Sequence, residues 1–125
     1  MSKPVIVVIN DDRDFLEMMK YLLTEERQCD VVVGQQGNNA LHVVKSASPD
    51  LIVLDIILGS EPLGVQILQA IRADSDVRDT PVIICSADSA FLKANAEVIQ
   101  ALNSETLGKP FDVVDMLALI DRHLS

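Results

Sequence analysis

Cysteine is scarce in this chain, and what there is carries no metal or disulfide pattern. Cys29 and Cys85 are the only two in 125 residues and form no C-x-x-C. That excludes a disulfide scaffold and a zinc site of the usual spacing, and makes a reducing cytoplasm the expected compartment. Long apolar runs are missing too. None approaches the ~20 residues a bilayer-spanning helix needs, and the opening MSKPV lacks a signal-peptide core, so no membrane association is expected. Basic charge is also short: ten Lys and Arg face nineteen Asp and Glu, a net charge of −9. With the acids spread along the chain, direct nucleic-acid binding is not expected; metal cations or a basic partner face fit better. There is no internal repeat, low-complexity tract or linker. The expectation is a single domain over residues 1–125, long enough to bury its own core.

What is present is a set of short Val- and Ile-rich runs: VIVVI (5–9), DVVV (30–33), LIVLD (51–55) and PVIIC (81–85). None alternates with polar residues, the pattern of strands covered on both faces of a parallel sheet. Helical spacing fills the gaps. Phe15, Met18, Met19, Leu22 and Leu23 make one stripe; Leu41, Val44 and Ala47 a second; Gly64, Ile67, Leu68 and Ile71 a third. Phe91, Ala94, Val98 and Leu102 make a fourth, and Val113, Met116, Leu117, Ile120 and Leu124 a fifth. Pro110 stands where the last helix can begin. The remaining strand must be ETLG (105–108). Strand and helix therefore alternate five times, which predicts an α/β, doubly wound parallel sheet with helices on both faces. The length suits the flavodoxin-like order 2-1-3-4-5, which opens a crevice between the carboxyl ends of strands 1 and 3.

The residues at those ends carry the chemistry. Strand 1 runs into Asp11 and Asp12, strand 3 ends at Asp55, strand 4 at Cys85 and Ser86, and strand 5 just before Lys109. Carboxylates gathered at one edge repel each other unless a cation offsets their charge. Mg²⁺, which binds through few carboxylates plus water, does that. Mg²⁺ beside a carboxylate, a hydroxyl and an amine is suited to phosphoryl transfer. Each residue alone has a plainer reading: Asp11 or Asp12 as a helix cap, Asp55 as a solvated strand end, Ser86 as a turn residue, Lys109 as a loop lysine. Only their joint placement points to a site.

NDD after strand 1, LIVLD, PVIICSA and GKPF together resemble the receiver domain of bacterial two-component response regulators, of the chemotaxis-receiver kind, over essentially the whole chain. The resemblance implies a phosphorelay switch that takes a phosphoryl group from a histidine kinase or phosphotransfer protein. Asp55 would be the phosphoacceptor. Asp12 and Asp55 would hold Mg²⁺ directly, Asp11 mainly through water, and the backbone carbonyl of Ile57 would add a ligand. Ser86 and Lys109 would bind phosphoryl oxygens. The Lys109–Pro110 peptide would be cis. The chain would assist its own phosphorylation and dephosphorylation without being an enzyme in the ordinary sense. Homodimerisation would use the face of the fourth helix, fifth strand and fifth helix.

Two positions depart from the pattern. The loop IILGSEPLG (56–64) is a residue longer than usual, and Thr106 replaces the usual aromatic three residues before the lysine, so switching is expected without an aromatic rotor. Phe91 reads as core. His42 and His123 are expected to face solvent and to be no phosphohistidines. Two other functions compete: an aspartyl-phosphate phosphatase resembling the haloacid dehalogenases, with DRD (12–14) as its nucleophile motif, and a degenerate receiver acting only as a docking module.

Overall fold

A computed structural model describes residues 3–35, 39–55, 64–86, 89–108 and 112–124. The four apolar runs and ETLG form strands: β1 (Val5–Ile9), β2 (Asp30–Gly34), β3 (Leu51–Asp55), β4 (Val82–Ser86) and β5 (Glu105–Gly108). They pair in parallel in the order β2-β1-β3-β4-β5. Alternate side chains of the central strands enter opposite cores. Val7, Ile9, Ile52, Leu54, Val82 and Ile84 face one side; Ile6, Val8, Leu51, Val53, Ile83 and Cys85 face the other. Both faces are covered, which is why these strands show no polar alternation.

Helices α1 (Arg13–Arg27) and α6 (Val113–Leu124) cover one face, through Leu16, Met19, Leu23, Met116 and Ile120. Helices α2 (Ala40–Ala47) and α3 (Gly64–Ala73) cover the other, through Ala40, Val44, Ile67, Leu68 and Ile71. Full burial of such side chains is worth roughly 1.5–3 kcal/mol each. The α1 stripe is turned slightly from expectation: Leu16 is buried and Met18 is exposed. The last helix begins at Val113 rather than at Pro110, which lies outside the described residues.

The fourth helical stripe is divided, although its spacing predicts one helix. Helix α4 (Ser89–Ala94) stops, and α5 (Ala96–Ala101) begins after Asn95. Asn95 sits at φ −110°, ψ 10°, well off helical values. Its side-chain Nδ2 donates to the Phe91 carbonyl at 2.9 Å, while its backbone N–H donates to the same oxygen at 3.1 Å. An asparagine side chain competing for a helical carbonyl is a known cause of a break. Asn95→Ala should join the two halves, seen as slower hydrogen exchange of the amides of residues 95–98; unchanged exchange would place the cause elsewhere.

Cys29 and Cys85 are both buried and both free. They lie beside and on β2 and β4, with β1 and β3 between them. Three strand spacings, roughly 14 Å, exceed the ~7 Å Cα reach of a disulfide. Phe91 packs against the core as expected. His42 is exposed as expected, but His123 is not: its ring is half-buried, with Nε2 3.2 Å from the Glu105 carboxylate. The last turn of α6 lies against the start of β5, where Arg122 also holds Glu105 at 2.6 Å. Partial burial, the largest single influence, pushes the Glu105 carboxyl up, but Arg122 and His123 together hold it below its ordinary range.

Candidate functional site at the carboxyl ends of the central strands

Among the described residues, two buried side chains are polar or charged: Asn10, 1% exposed, and Asp55, 8% exposed. Asp55 is the last residue of β3 and pairs in register with Cys85 of β4. Asn10 follows β1 directly. Ile9 pairs with Leu54, so Asn10 stands level with Asp55 on the neighbouring strand. By strand alternation both belong to the face covered by α1 and α6. Here the strands end and the loops begin, which is why polar groups are tolerated beside runs that are otherwise apolar.

The turn after β1 is built by side chains bonding to backbone. The Asn10 N–H donates to the Gly34 carbonyl at 3.0 Å, extending the β1–β2 ladder by one step. Asn10 Oδ1 accepts the N–H of Asp12 at 2.9 Å, a turn that asparagine favours. Asp12 is the N-cap of α1: its Oδ1 accepts the N–H of Asp14 at 3.0 Å and of Phe15 at 3.3 Å. Of the two readings open for Asp12, capping is therefore realised. Asp12→Ala should cost about 1 kcal/mol of stability through loss of the cap, and Asp12→Ser should recover most of it, measured by urea unfolding. Equal stability of the alanine variant and the parent would mean that relief of repulsion between the acids cancels the cap.

Asp11 and Asp12 are exposed at the edge, Asp55 is buried, and no group of three Asp, Glu, His or Cys suited to a metal ion occurs among the described residues. Ser86 closes β4, one residue past the partner of Asp55; its side chain lies outside what is described. Gly108 pairs with Ser86, and Lys109 follows it in the chain. Lys109, Pro110 and Ile57, with the loop after β3, lie outside the described residues. Thr106 is exposed on β5. The acids of NDD carry the chemical pattern in the sequence, and Asn10 does not stand out beside them. The available signal was an asparagine at a strand end two residues before a helix cap.

The model of the response regulator receiver domain matches residues 6–121. The chain belongs to that family. Among its relatives is the DNA-binding response regulator MtrA of Mycobacterium tuberculosis, 30% identical over 122 residues, covering 95% of this chain and 50% of that protein. Protein PilG of Pseudomonas aeruginosa is 29% identical over 119 residues, covering 94% of this chain and 86% of its own. The chain spans about half the length of the first curated relatives it matches. Among solved structures, the receiver domain of the sensor histidine kinase PA1611 from P. aeruginosa, with a magnesium ion in its active-site cleft, superposes with a TM-score of 0.81 at 22% identity, over 98% of each chain. That likeness concerns the fold. The receiver assignment places this domain in two-component signal transduction. None of the described helices is long and apolar enough to cross a membrane.

Proposed function

We propose that this receiver domain is a phosphoacceptor switch, charged on Asp55 by the phosphohistidine of a histidine kinase or phosphotransfer protein in a Mg²⁺-dependent step. The observation that carries the reading is that Asp55 is the one buried acid among the described residues, at the end of the central strand. A carboxylate oxygen of Asp55 attacks phosphorus, the P–N bond of the donor breaks, and the imidazole leaves with its electron pair. The product is an acyl phosphate.

The donor set fits Mg²⁺, which needs only one or two carboxylates and completes its shell with water: Asp55, the Asp11–Asp12 pair and the carbonyl of Ile57 would hold it. Bound there, the ion would neutralise charge on the phosphoryl oxygens. The register supports roles for Ser86 and Lys109 on the same oxygens, since Ser86 lies one step beyond the partner of Asp55 and Lys109 follows the partner of Ser86. Within a receiver domain these groups assist transfer to and from the chain's own carboxylate rather than turnover of a free substrate.

The phosphatase alternative needs its nucleophile at DRD. There Asp12 is occupied as a cap, and Asp14 is an exposed residue of the first turn of α1, so nothing supports it. Beryllofluoride, a phosphoryl mimic, separates the two: it should be found on the Asp55 carboxylate in a crystal grown with Mg²⁺. Density on Asp12 instead would reverse the assignment.

A further inference from the structure

We propose that the outer edge of β2 is a self-association surface: it pairs antiparallel with β2 of a second copy of this chain, about a two-fold axis at Val32, and joins two sheets into one. The surface is separate from Asp55, with β1 between β2 and β3, so it stands whether or not Asp55 accepts a phosphoryl group.

The sheet has two outer strands, β2 and β5. An outer strand presents unpaired N–H and C=O groups, and proteins usually blunt it with short length, lysine, proline or a bulge. β5 has four residues, and its Glu105 is held by Arg122 and His123. β2 has none of these devices. It runs for five residues in unbroken register with β1 and contains neither lysine nor proline. Its Val32 and Val33 are 37% and 40% exposed. Beside Val33 a groove of about 370 Å³, lined by Arg13, Leu16, Glu17, Lys20, Val33 and Gln35, separates α1 from the edge, so the helix does not overhang it.

The β1 ladder fixes which backbone groups face outward. The Asp30 N–H donates to the Pro4 carbonyl at 2.9 Å, and the Gly34 carbonyl accepts the Asn10 N–H at 3.0 Å. Asp30, Val32 and Gly34 therefore turn their backbone polar groups toward β1. By alternation Val31 and Val33 turn theirs to the open edge, where no strand among the described residues pairs with them. A two-fold axis at Val32 sets Val31 opposite Val33 of the second copy, and Val33 opposite its Val31. These are hydrogen-bonded pairs, each exchanging both N–H···O=C bonds, so every outward group of the two residues is used. Val32 meets Val32 of the second copy as the close, non-hydrogen-bonded pair, with Cα atoms about 4.5 Å apart.

Charge selects the same register. Asp30 is the one charged residue of β2, and with the axis at Val32 it falls opposite Gly34, which has no side chain. An axis at Asp30 would set that carboxylate against its own copy, and like charges directly opposite are destabilising. An axis at Val31 would set Asp30 against Val32 and desolvate a charge beside an apolar side chain. Only the Val32 axis matches valine to valine and carboxylate to glycine.

Two five-residue strands make a small contact, at the weak end of interfaces below ~1,200 Å². Sedimentation equilibrium and amide NMR of the full chain, from about 10 μM to about 1 mM, should show a monomer–dimer equilibrium with concentration-dependent shifts centred on residues 30–34. Val32→Lys puts two ammonium groups together at the axis and should weaken association about tenfold or more. Val33→Pro removes an outward N–H without touching the β1 ladder and should do the same. Val32→Cys should give a covalent dimer with oxidised glutathione, because its Cα atoms lie within disulfide reach. Val33→Cys meets its own copy only diagonally, roughly 7–8 Å away, and should cross-link far more slowly. The native thiols are buried. A chain that stays monomeric at about 1 mM would overturn the pairing and leave the edge to an extended segment of another protein. Dimers that survive both Val32→Lys and Val33→Pro, or equal cross-linking of the two cysteine variants, would overturn it as well. If Val33→Pro does not fold, Val32→Lys and the cysteine comparison decide.

Discussion

Asp55→Asn is expected to abolish phosphorylation outright while the domain stays folded. Incubated with Mg²⁺ and acetyl phosphate, the parent should gain the mass of one phosphoryl group, and the variant should gain none. The amide lacks the anionic oxygen that attacks phosphorus, and among the described residues no neighbouring acid can stand in at the same place. Asp12 is directed at the start of α1, and every other described acid is at least partly exposed. The fold should tolerate the change because asparagine nearly matches aspartate in volume and removes a charge from a buried strand end, where charge is costly to desolvate. A melting temperature equal to or above that of the parent in the absence of Mg²⁺ is expected. Phosphoryl incorporation by the variant at the parent level would sink the assignment of Asp55 and reopen the first-strand acids.

The largest structural effect should come from Arg72, which no sequence motif singles out. It lies in the last turn of α3 and reaches carbonyls on two separate connections. Nε donates to Leu102 at 2.7 Å; Nη1 donates to Thr80 at 2.6 Å and Arg78 at 2.9 Å. Nη2 adds longer contacts to the Asn103 carbonyl and Ser104 Oγ, both 3.4 Å. One guanidinium thus joins α3, the turn before β4 and the turn before β5. Burial lowers its pKa, and the charge of Asp79 works the other way; an arginine stays protonated regardless. Hydrogen bonds from a charged donor are worth about 1.5–3 kcal/mol each. Three short ones at a half-exposed site, discounted for water that would replace some of them, suggest that Arg72→Ala costs about 3 kcal/mol. That corresponds to roughly 10 °C in Tm for a domain of this size. Arg72→Lys should recover less than half, because a single ammonium cannot span divergent carbonyls. Thermal unfolding of both variants checks this; a loss under about 1 kcal/mol for the alanine variant would mean that water replaces the guanidinium at those carbonyls.

Arg72 also bears on signalling. It anchors the end of the α5 connection, while the break at Asn95 separates α5 from α4. Thr106 is exposed on β5, so on the proposed reading a signal from Asp55 would have no ring to turn at that position. It could bias the α4–β5 side only through contacts that differ between the two states. Leu92 of α4 lies beside Gly108 at the end of β5, which places α4 next to the strand that leads to Lys109.

The strands, and the place of Asp55 at the end of one, were determined locally and so could be read directly; the strand order followed from β-α alternation and the resemblance to receiver domains. Each central strand is an unbroken Val- and Ile-rich run because both its faces are covered, and β-α alternation allows few topologies. Asp55 could be placed because it ends such a run, and a strand end in a doubly wound sheet has a known location. What only the tertiary structure decided is how polar side chains are spent. Capping and cation binding ask for the same residue type, and only the folded chain shows that Asp12 caps α1. One helical stripe became two helices because the Asn95 amide competes for the Phe91 carbonyl. His123 left solvent because α6 ends against Glu105. Arg72 became a hub because a carbonyl 30 residues further along the chain was brought within its reach. Apolar burial is non-directional and follows a repeat along the chain. A hydrogen bond needs its partner within about 3 Å and in line, a condition that exists only once the chain has folded.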